Sequence, residues 1–118
     1  MKLLLVDDSS TMRRIQKTQL TALGIADISE ASDGAKALEV LSGDTKFDIV
    51  LLDWNMPEMN GLDCLKKIRE NPSWSNVKVV MCTSEADKGK VMEALSSGAN
   101  NYIVKPFTPE TIKEKLGL

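Results

Sequence analysis

The fold of this chain is decided by residues 48–61, which read DIVLLDWNMPEMNG. The stretch opens with an unbroken run of β-branched and leucine side chains, from Ile49 to Leu52, without alternation. Such a run is typical of a parallel strand that is buried on both faces. It ends at Asp53, and a loop rich in Asn, Pro and Gly follows. We therefore predict a buried strand with a carboxylate at its end, where open α/β sheets bind their ligands.

Short apolar runs and helical segments alternate along the rest of the chain. The predicted strands cover residues 2–6, 28–31, 49–52, 77–82 and 102–104. The predicted helices run to about Leu23, from Gly34 to Gly43, from Leu62 to Glu70, from Ala86 to Ser97, and from Pro109 onward. Five alternating pairs predict an α/β fold, with a five-stranded parallel sheet and helices on both faces. The length fits one domain over residues 1–118.

Apolar residues at helical spacing predict which helix faces point inward. In the first helix these residues are Met12, Ile15, Leu20 and Leu23, and in the fourth they are Val91, Met92 and Leu95. Cys64 and Cys82 fall in a predicted helix and a predicted strand, so we expect both to be reduced residues of the interior.

The composition is that of an ordinary globular domain, with 42% hydrophobic and 27% charged residues. A net charge of -2 gives no reason to expect a nucleic-acid partner. No apolar run approaches the length of a membrane span, and residues 1–6 are too short for a signal peptide. We therefore expect a cytoplasmic protein without a membrane partner.

The chain contains no histidine. This excludes a histidine general base, a histidine nucleophile and histidine metal ligands. Any site must use carboxylates, hydroxyls, amides and lysine. Such oxygen ligands suit magnesium, calcium or manganese rather than zinc.

Acidic and reactive residues cluster where the predicted strands end. The first strand ends in Asp7-Asp8, the third in Asp53 with Asn55 beyond it, the fourth in Thr83-Ser84 and the fifth in Lys105-Pro106. All these ends lie on one edge of a parallel sheet, so we expect the residues to converge on one cleft.

That combination of side chains suits phosphoryl transfer. Three neighbouring carboxylates repel one another, and a divalent cation such as Mg²⁺, or Mn²⁺, removes the conflict. Lys105 offers a positive charge and Thr83 a hydroxyl donor to phosphoryl oxygens. Asp53 would then be the nucleophile that forms an aspartyl phosphate.

Three motifs make the whole chain resemble response-regulator receiver domains, in particular the single-domain chemotaxis regulators. They are VDDSSTMRR at residues 6–14, DWNMPEMNG at 53–61 and YIVKPFT at 102–108. The resemblance implies a flavodoxin-like sheet with strand order 2-1-3-4-5. The last helix is shorter than the family pattern, so either it ends at Leu118 or the given sequence is part of a longer chain.

The resemblance also implies roles at the site. Asp53 corresponds to the phosphoacceptor, which takes its phosphoryl group from a chemotaxis-type histidine kinase. Asp8 and Asp53 correspond to direct Mg²⁺ ligands, Asn55 to a ligand through its backbone carbonyl, and Asp7 to one that acts largely through metal-bound water. Thr83 and Lys105 correspond to residues that contact the phosphoryl group, and the bond between Lys105 and Pro106 to a cis peptide.

Away from the site, Tyr102 corresponds to an aromatic rotamer switch. The resemblance and the helical spacing together place Lys88, Val91, Tyr102 and Lys115 on an output face formed by the fourth helix, the fifth strand and the fifth helix. The implied partner there is a helix of a flagellar motor switch protein, and a phosphatase is a further candidate partner. Asn55 and Glu85 correspond to residues that flank the attacking water and set a short phosphoryl lifetime. We expect a monomer.

Two other functions compete with a phosphorylation switch. One is a magnesium-dependent aspartyl-phosphate phosphatase of the haloacid dehalogenase type. That class needs an acidic residue two positions after its nucleophile, where this chain has Asn55, and room for a cap domain. The other is a receiver-like module that binds partners without phosphorylation. It is disfavoured because every motif position is intact.

Overall fold

The secondary structure follows the predicted alternation throughout the computed structural model, which describes residues 1–57, 59–84, 87–105 and 108–117. The strands are β1 (Lys2–Val6), β2 (Asp27–Ala31), β3 (Ile49–Asp53), β4 (Lys78–Thr83) and β5 (Asn101–Val104). The helices are α1 (Ser10–Ala22), α2 (Gly34–Leu41), α3 (Gly61–Glu70), α4 (Lys88–Ser96) and α5 (Pro109–Leu116), with a short 3-10 helix at Pro72–Trp74. The predicted start of the fourth helix at Ala86 lies outside the described residues.

The five strands form one sheet in the order β2-β1-β3-β4-β5, and every neighbouring pair is parallel. The predicted fold class and strand order are therefore confirmed. β3 lies in the middle, and all five of its residues are buried, as its continuous apolar sequence predicts. In the register of the sheet, Val6 faces Leu52, Asp53 faces Cys82, and Thr83 faces Val104.

Two apolar clusters cover the two faces of the sheet. One joins Leu4 and Val50 to buried residues of α2 and α3, such as Leu41 and Ile68. The other joins Leu3, Leu5 and Leu51 to Leu20 of α1 and to Ile112 and Leu116 of α5. Because strand side chains alternate between faces, consecutive leucines of one strand serve both clusters.

Polar side chains begin the helices at the carboxyl edge of the sheet. Ser9 accepts from the backbone of Met12, Asp33 from Lys36, Asn60 from Asp63, Asp87 from Gly89 and Lys90, and Thr108 from Thr111. Each cap satisfies backbone donors that a helix start leaves without partners. The caps lie between the strand ends and the helices that follow them, at the edge of the sheet where the cleft forms.

The predicted inner face of α1 is wrong in one position. Ile15 is 46% exposed, whereas Gln16 is buried together with Leu20. Gln16 and Leu20 are four residues apart and share a helix face, while Ile15 lies about 140° around the helix from Leu20. The Nε2 of Gln16 has no hydrogen-bond partner among the described residues.

The predicted inner face of α4 is also largely wrong. Met92 is 60% exposed and Leu95 is 42% exposed, while Val91 is half-buried. Among the residues of α4, all of which are described, Ala94 alone is fully buried. The face that packs is set by the neighbouring strands, and it is not the one that carries the largest apolar side chains.

Both cysteines are buried free thiols, as expected from their positions. Burial raises the pKa of the Cys64 thiol to about 12, and it also raises the pKa of Cys82. Within the described part of the chain, no helix combines the length and the apolar character needed to span a membrane.

Candidate functional site

Three carboxylates converge where β1 and β3 end. Asp7 follows β1 and is 1% exposed, and Asp53 is the last residue of β3 and is 6% exposed. Asp8 is exposed at the mouth of the cleft. Each of the three offers an oxygen that lies within 4.8 Å of the others. The predicted convergence of residues more than 40 positions apart follows from the parallel pairing of β1 with β3.

Lys105 lies against two of these carboxylates. Its Nζ is 2.8 Å from Oδ2 of Asp7 and 2.9 Å from Oδ1 of Asp53. The residue follows β5, and its backbone N–H donates to the carbonyl of Thr83 at 2.7 Å. That bond ties the end of β5 to the end of β4, where Thr83 is 4% exposed. The lysine therefore enters the cleft from the side opposite β1.

Burial and neighbouring charges oppose each other in this cluster. Burial raises the pKa of Asp53, the hydrogen bond and charge of Lys105 act to lower it, and the charges of Asp7 and Asp8 raise it further. The net direction is upward. Burial acts to lower the pKa of Lys105, but its hydrogen bonds to Asp7 and Asp53 and the charges of both prevail and raise it. The described cluster brings three carboxylates together with one ammonium group, so its acidic groups outnumber its basic one.

The donor set fits a hard divalent cation. Three carboxylate oxygens on one side of an open cleft match the few protein ligands that Mg²⁺ takes while it keeps several waters. Mn²⁺ accepts the same ligands. Such an ion would relieve the repulsion among Asp7, Asp8 and Asp53, which a single lysine does not balance. The residues that could hold the metal are thus the acidic ones that the sequence predicted.

Two residues that support the site received no role from the sequence alone. The Nη1 of Arg13 donates to the carbonyl of Asp7 at 2.6 Å, and its Nε lies 3.2 Å from Oε1 of Glu30. The N–H of Gly61 donates to the carbonyl of Trp54 at 2.8 Å, which closes the loop after β3. A Cβ on Gly61 would collide with the carbonyl of Asp53 and lie 2.8 Å from Cα of Trp54. The loop motif contained Gly61, but only the closed loop shows that a larger residue there would force the backbone of Asp53 and Trp54 to shift.

The remaining predicted residues lie at different distances from the cluster. Asn55 is exposed two residues beyond Asp53. Tyr102 is half-buried on β5, and Nζ of Lys115 lies 4.5 Å from the centre of its ring. Lys88 is exposed at the start of α4, and Val91 is half-buried one turn later. Glu85 and Pro106, and with Pro106 the predicted cis peptide, lie outside the described residues.

The sequence matches a known family and known proteins along nearly its whole length. Residues 3–117 match the model of the response regulator receiver domain. The chain is 53% identical over 116 residues to chemotaxis protein CheY1 of Helicobacter pylori, a match that covers 98% of this chain and 94% of that protein. It is 52% identical over 117 residues to chemotaxis protein CheY-3 of Vibrio cholerae, covering 98% and 88%.

Solved structures show the same fold. The crystal structure of CheY4 from Vibrio cholerae matches with a TM-score of 0.89 and 34% identity, over 98% of this chain and 95% of that one. The CheX-CheY-BeF3-Mg complex from Borrelia burgdorferi matches with a TM-score of 0.90 and 31% identity, over 98% and 86%. The chain therefore belongs to the response regulator receiver family, and both its sequence and its acidic site are CheY-like.

Proposed function

We propose that the protein is a phosphorylation-activated switch in which Asp53 accepts a phosphoryl group from a histidine kinase of the chemotaxis type. We propose further that residues 1–118 act as one receiver domain. One observation carries the proposal: Asp7, Asp8 and Asp53 converge within 4.8 Å at the carboxyl edge of the sheet, with Nζ of Lys105 2.9 Å from Asp53. Family membership supports the same assignment.

In the transfer step, a carboxylate oxygen of Asp53 attacks the phosphorus of a phosphohistidine. The new O–P bond forms as the N–P bond breaks, and the histidine nitrogen leaves with the electron pair and takes up a proton. Lys105 neutralises charge on one phosphoryl oxygen, and the hydroxyl of Thr83 donates to another. Bound Mg²⁺ supplies Lewis-acid stabilisation of the phosphoryl oxygens, and Asp7, Asp8, Asp53 and the carbonyl of Asn55 would hold it.

The signal ends when water attacks the phosphorus and the bond to Asp53 breaks, which releases inorganic phosphate. Asn55 and Glu85 flank that line of attack in our proposal, and we expect the phosphoryl group to be lost without any phosphatase. Substitution of either residue should change the rate of loss. A phosphatase remains a candidate partner, since a CheY of similar fold has been solved in complex with CheX.

The conformational change that transmits the signal begins at Thr83. A phosphoryl group on Asp53 gives its hydroxyl a charged acceptor, so the side chain shifts toward the site, and Tyr102 turns inward to fill the space. The surface of α4, β5 and α5 changes as a result, and Lys88, Val91, Tyr102 and Lys115 contact the partner there. The relatives are chemotaxis proteins, so we propose a helix of a flagellar motor switch protein as that partner.

A magnesium-dependent phosphatase is the second candidate, because it uses the same kind of strand-end carboxylate. Asn55 occupies the position where that class requires an acid. Turnover of generic phosphate esters would favour this alternative. A receiver-like module that works without phosphorylation is the third, and it would show no response to beryllofluoride.

The direct test is the intact mass after incubation with acetyl phosphate and Mg²⁺. The wild-type protein should gain one phosphoryl group, and hydroxylamine should remove it. Asp53→Asn should gain none, while the control Asp44→Asn, on an exposed loop, should label like the wild type. Equal labelling of Asp53→Asn would overturn the assignment.

The output is tested by calorimetry with a peptide from a motor switch protein. Beryllofluoride with Mg²⁺ should tighten binding several-fold, and the peptide must tighten beryllofluoride by the same factor. A shift from 1:99 to 99:1 needs about 5.5 kcal/mol of differential binding, so a smaller gain means a graded response. Tyr102→Ala should lose most of the gain while Asp53 still takes phosphate, and Lys66→Ala on α3 should keep it. Equal peptide affinity in both states would exclude this face as the output.

A further inference from the structure

α4 directs a lysine toward the body of the protein and two large apolar side chains away from it. Lys90 is half-buried, whereas Met92 is 60% exposed and Leu95 is 42% exposed. Lys90 lies four residues before Ala94, the fully buried residue of this helix, so the two share the inner face. Partial burial of a lysine on a helix whose large apolar side chains are exposed runs against the usual partition.

One contact of the Lys90 side chain is with the residue after the proposed phosphoacceptor. Nζ of Lys90 lies 5.8 Å from the centre of the Trp54 ring, within the range of a cation–π interaction. The indole is only 8% exposed, and it belongs to the same apolar cluster as Ala94. α4 therefore contacts Trp54 through the cationic side chain of Lys90, and Ala94 on the same face belongs to the apolar cluster that includes the indole.

Trp54 is attached firmly to the site. Its N–H donates to the carbonyl of Cys82 in β4 at 2.8 Å, and its carbonyl accepts from Gly61 at 2.8 Å. Asp53 precedes it directly at the end of β3. The indole thus moves with the backbone of Asp53, and whatever binds the indole is linked mechanically to the acidic cluster.

We propose that Lys90 is a positioning residue that couples α4 to the state of Asp53, an inference that rests on the proposed function. The ammonium holds the inner face of α4 against the indole of the residue that follows Asp53, so the attachment of α4 depends on how the end of β3 is placed. In this proposal an anion bound at Asp53 strengthens the attachment of α4 through Trp54, and because coupling is reciprocal this attachment favours anion binding by the same factor.

Three variants separate the charge of Lys90 from its packing. Lys90→Met keeps an unbranched apolar side chain over the indole and removes the cation, whereas Lys90→Arg keeps the cation. Lys66→Met removes an exposed lysine from α3, outside the proposed output face, and serves as the control. Hydrogen exchange of residues 88–96 measures the attachment of α4, and calorimetry with beryllofluoride and Mg²⁺ measures anion binding at Asp53.

Lys90→Met should weaken beryllofluoride binding by about two- to five-fold, the size of one exposed cation–π interaction, and speed exchange in α4. Lys90→Arg and Lys66→Met should match the wild type in both measurements. Wild-type affinity in Lys90→Met overturns the coupling whatever the exchange shows, and an equal loss in Lys66→Met overturns the assignment to Lys90. If the wild-type protein itself binds no beryllofluoride, the proposed phosphorylation fails first, which distinguishes the two failures.

Discussion

β3 and α4 border the same cleft but are held in opposite ways. All five residues of β3 are buried, and it pairs with β1 on one side and β4 on the other. In α4, Ala94 is the fully buried residue, and large apolar side chains face outward. Regions with few buried apolar contacts open at lower free energy than core strands. Asp53 therefore lies on a strand that should open only at high free energy. α4, the helix proposed to respond to phosphorylation, should open at a lower free energy.

The largest effect should come from shortening matched leucines in the two regions. Leu51 of β3 is 0% exposed, so Leu51→Ala should lower the free energy of unfolding by about 2–5 kcal/mol. Leu95 of α4 is 42% exposed, so Leu95→Ala should change it by no more than about 0.5 kcal/mol. Urea denaturation measures both values. Similar losses in the two variants would mean that α4 is packed as firmly as the strand.

The next largest change in the free energy of unfolding is expected from replacing a glycine by alanine at the end of the loop after β3. Gly61→Ala should lower the free energy of unfolding by about 1–3 kcal/mol, because the added methyl group collides with the backbone of Asp53 and Trp54. Gly43 is the control, since a Cβ there would meet its nearest atom, the carbonyl of Val40, at 3.4 Å. Gly43→Ala should therefore be nearly neutral by the same urea assay. A harmless Gly61→Ala would show that the loop after β3 adjusts freely.

The smallest expected change in the free energy of unfolding comes from removing the charge of Asp53 at the end of β3. Because burial raises the pKa of Asp53, its contribution to stability is complete below the ordinary value of 3.8 and is lost as the pH rises through the folded-state pKa. In EDTA, Asp53→Asn should therefore be more stable than the wild type at neutral pH, and the difference should shrink toward acidic pH. Urea midpoints across that range measure it.

The matched control for that charge lies on α4. Asp87 caps the helix by accepting from the backbone of Gly89 and Lys90, and asparagine caps as well as aspartate. Asp87→Asn should change stability little at any of these pH values. A wild-type protein more stable than Asp53→Asn at neutral pH in EDTA would contradict the balance of charge described for the cluster.

The fold and the acidic cluster were predictable because each depends on a strong pattern. A continuous apolar run such as residues 49–52 fits a buried parallel strand, and the pairing of parallel strands then brings Asp7, Asp8, Asp53 and Lys105 to one edge. The ends of the strands shifted by no more than one residue, as when Thr83 joined β4. The apolar pattern of each strand and the parallel order of the sheet lead to the same positions for these residues, so the sequence was sufficient to predict the acidic cluster.

The faces of α1 and α4 were not predictable for a physical reason. Their apolar residues are few and spread around the helix. The burial of Gln16 in place of Ile15, and the burial of Ala94 rather than Met92, therefore depend on the surfaces that the helices meet. The steric role of Gly61 likewise depends on the path of the loop. Sequence spacing carries no record of these tertiary contacts.

The most direct test of the account is to locate the phosphoryl group within the chain. After reaction with acetyl phosphate and Mg²⁺, borohydride converts an aspartyl phosphate to homoserine, and peptide mass spectrometry identifies the altered residue. We predict homoserine at position 53 and at no other aspartate. Reduction at Asp7 or Asp8, or an unaltered Asp53 in labelled protein, would contradict the assignment of β3 as the strand that carries the phosphoacceptor.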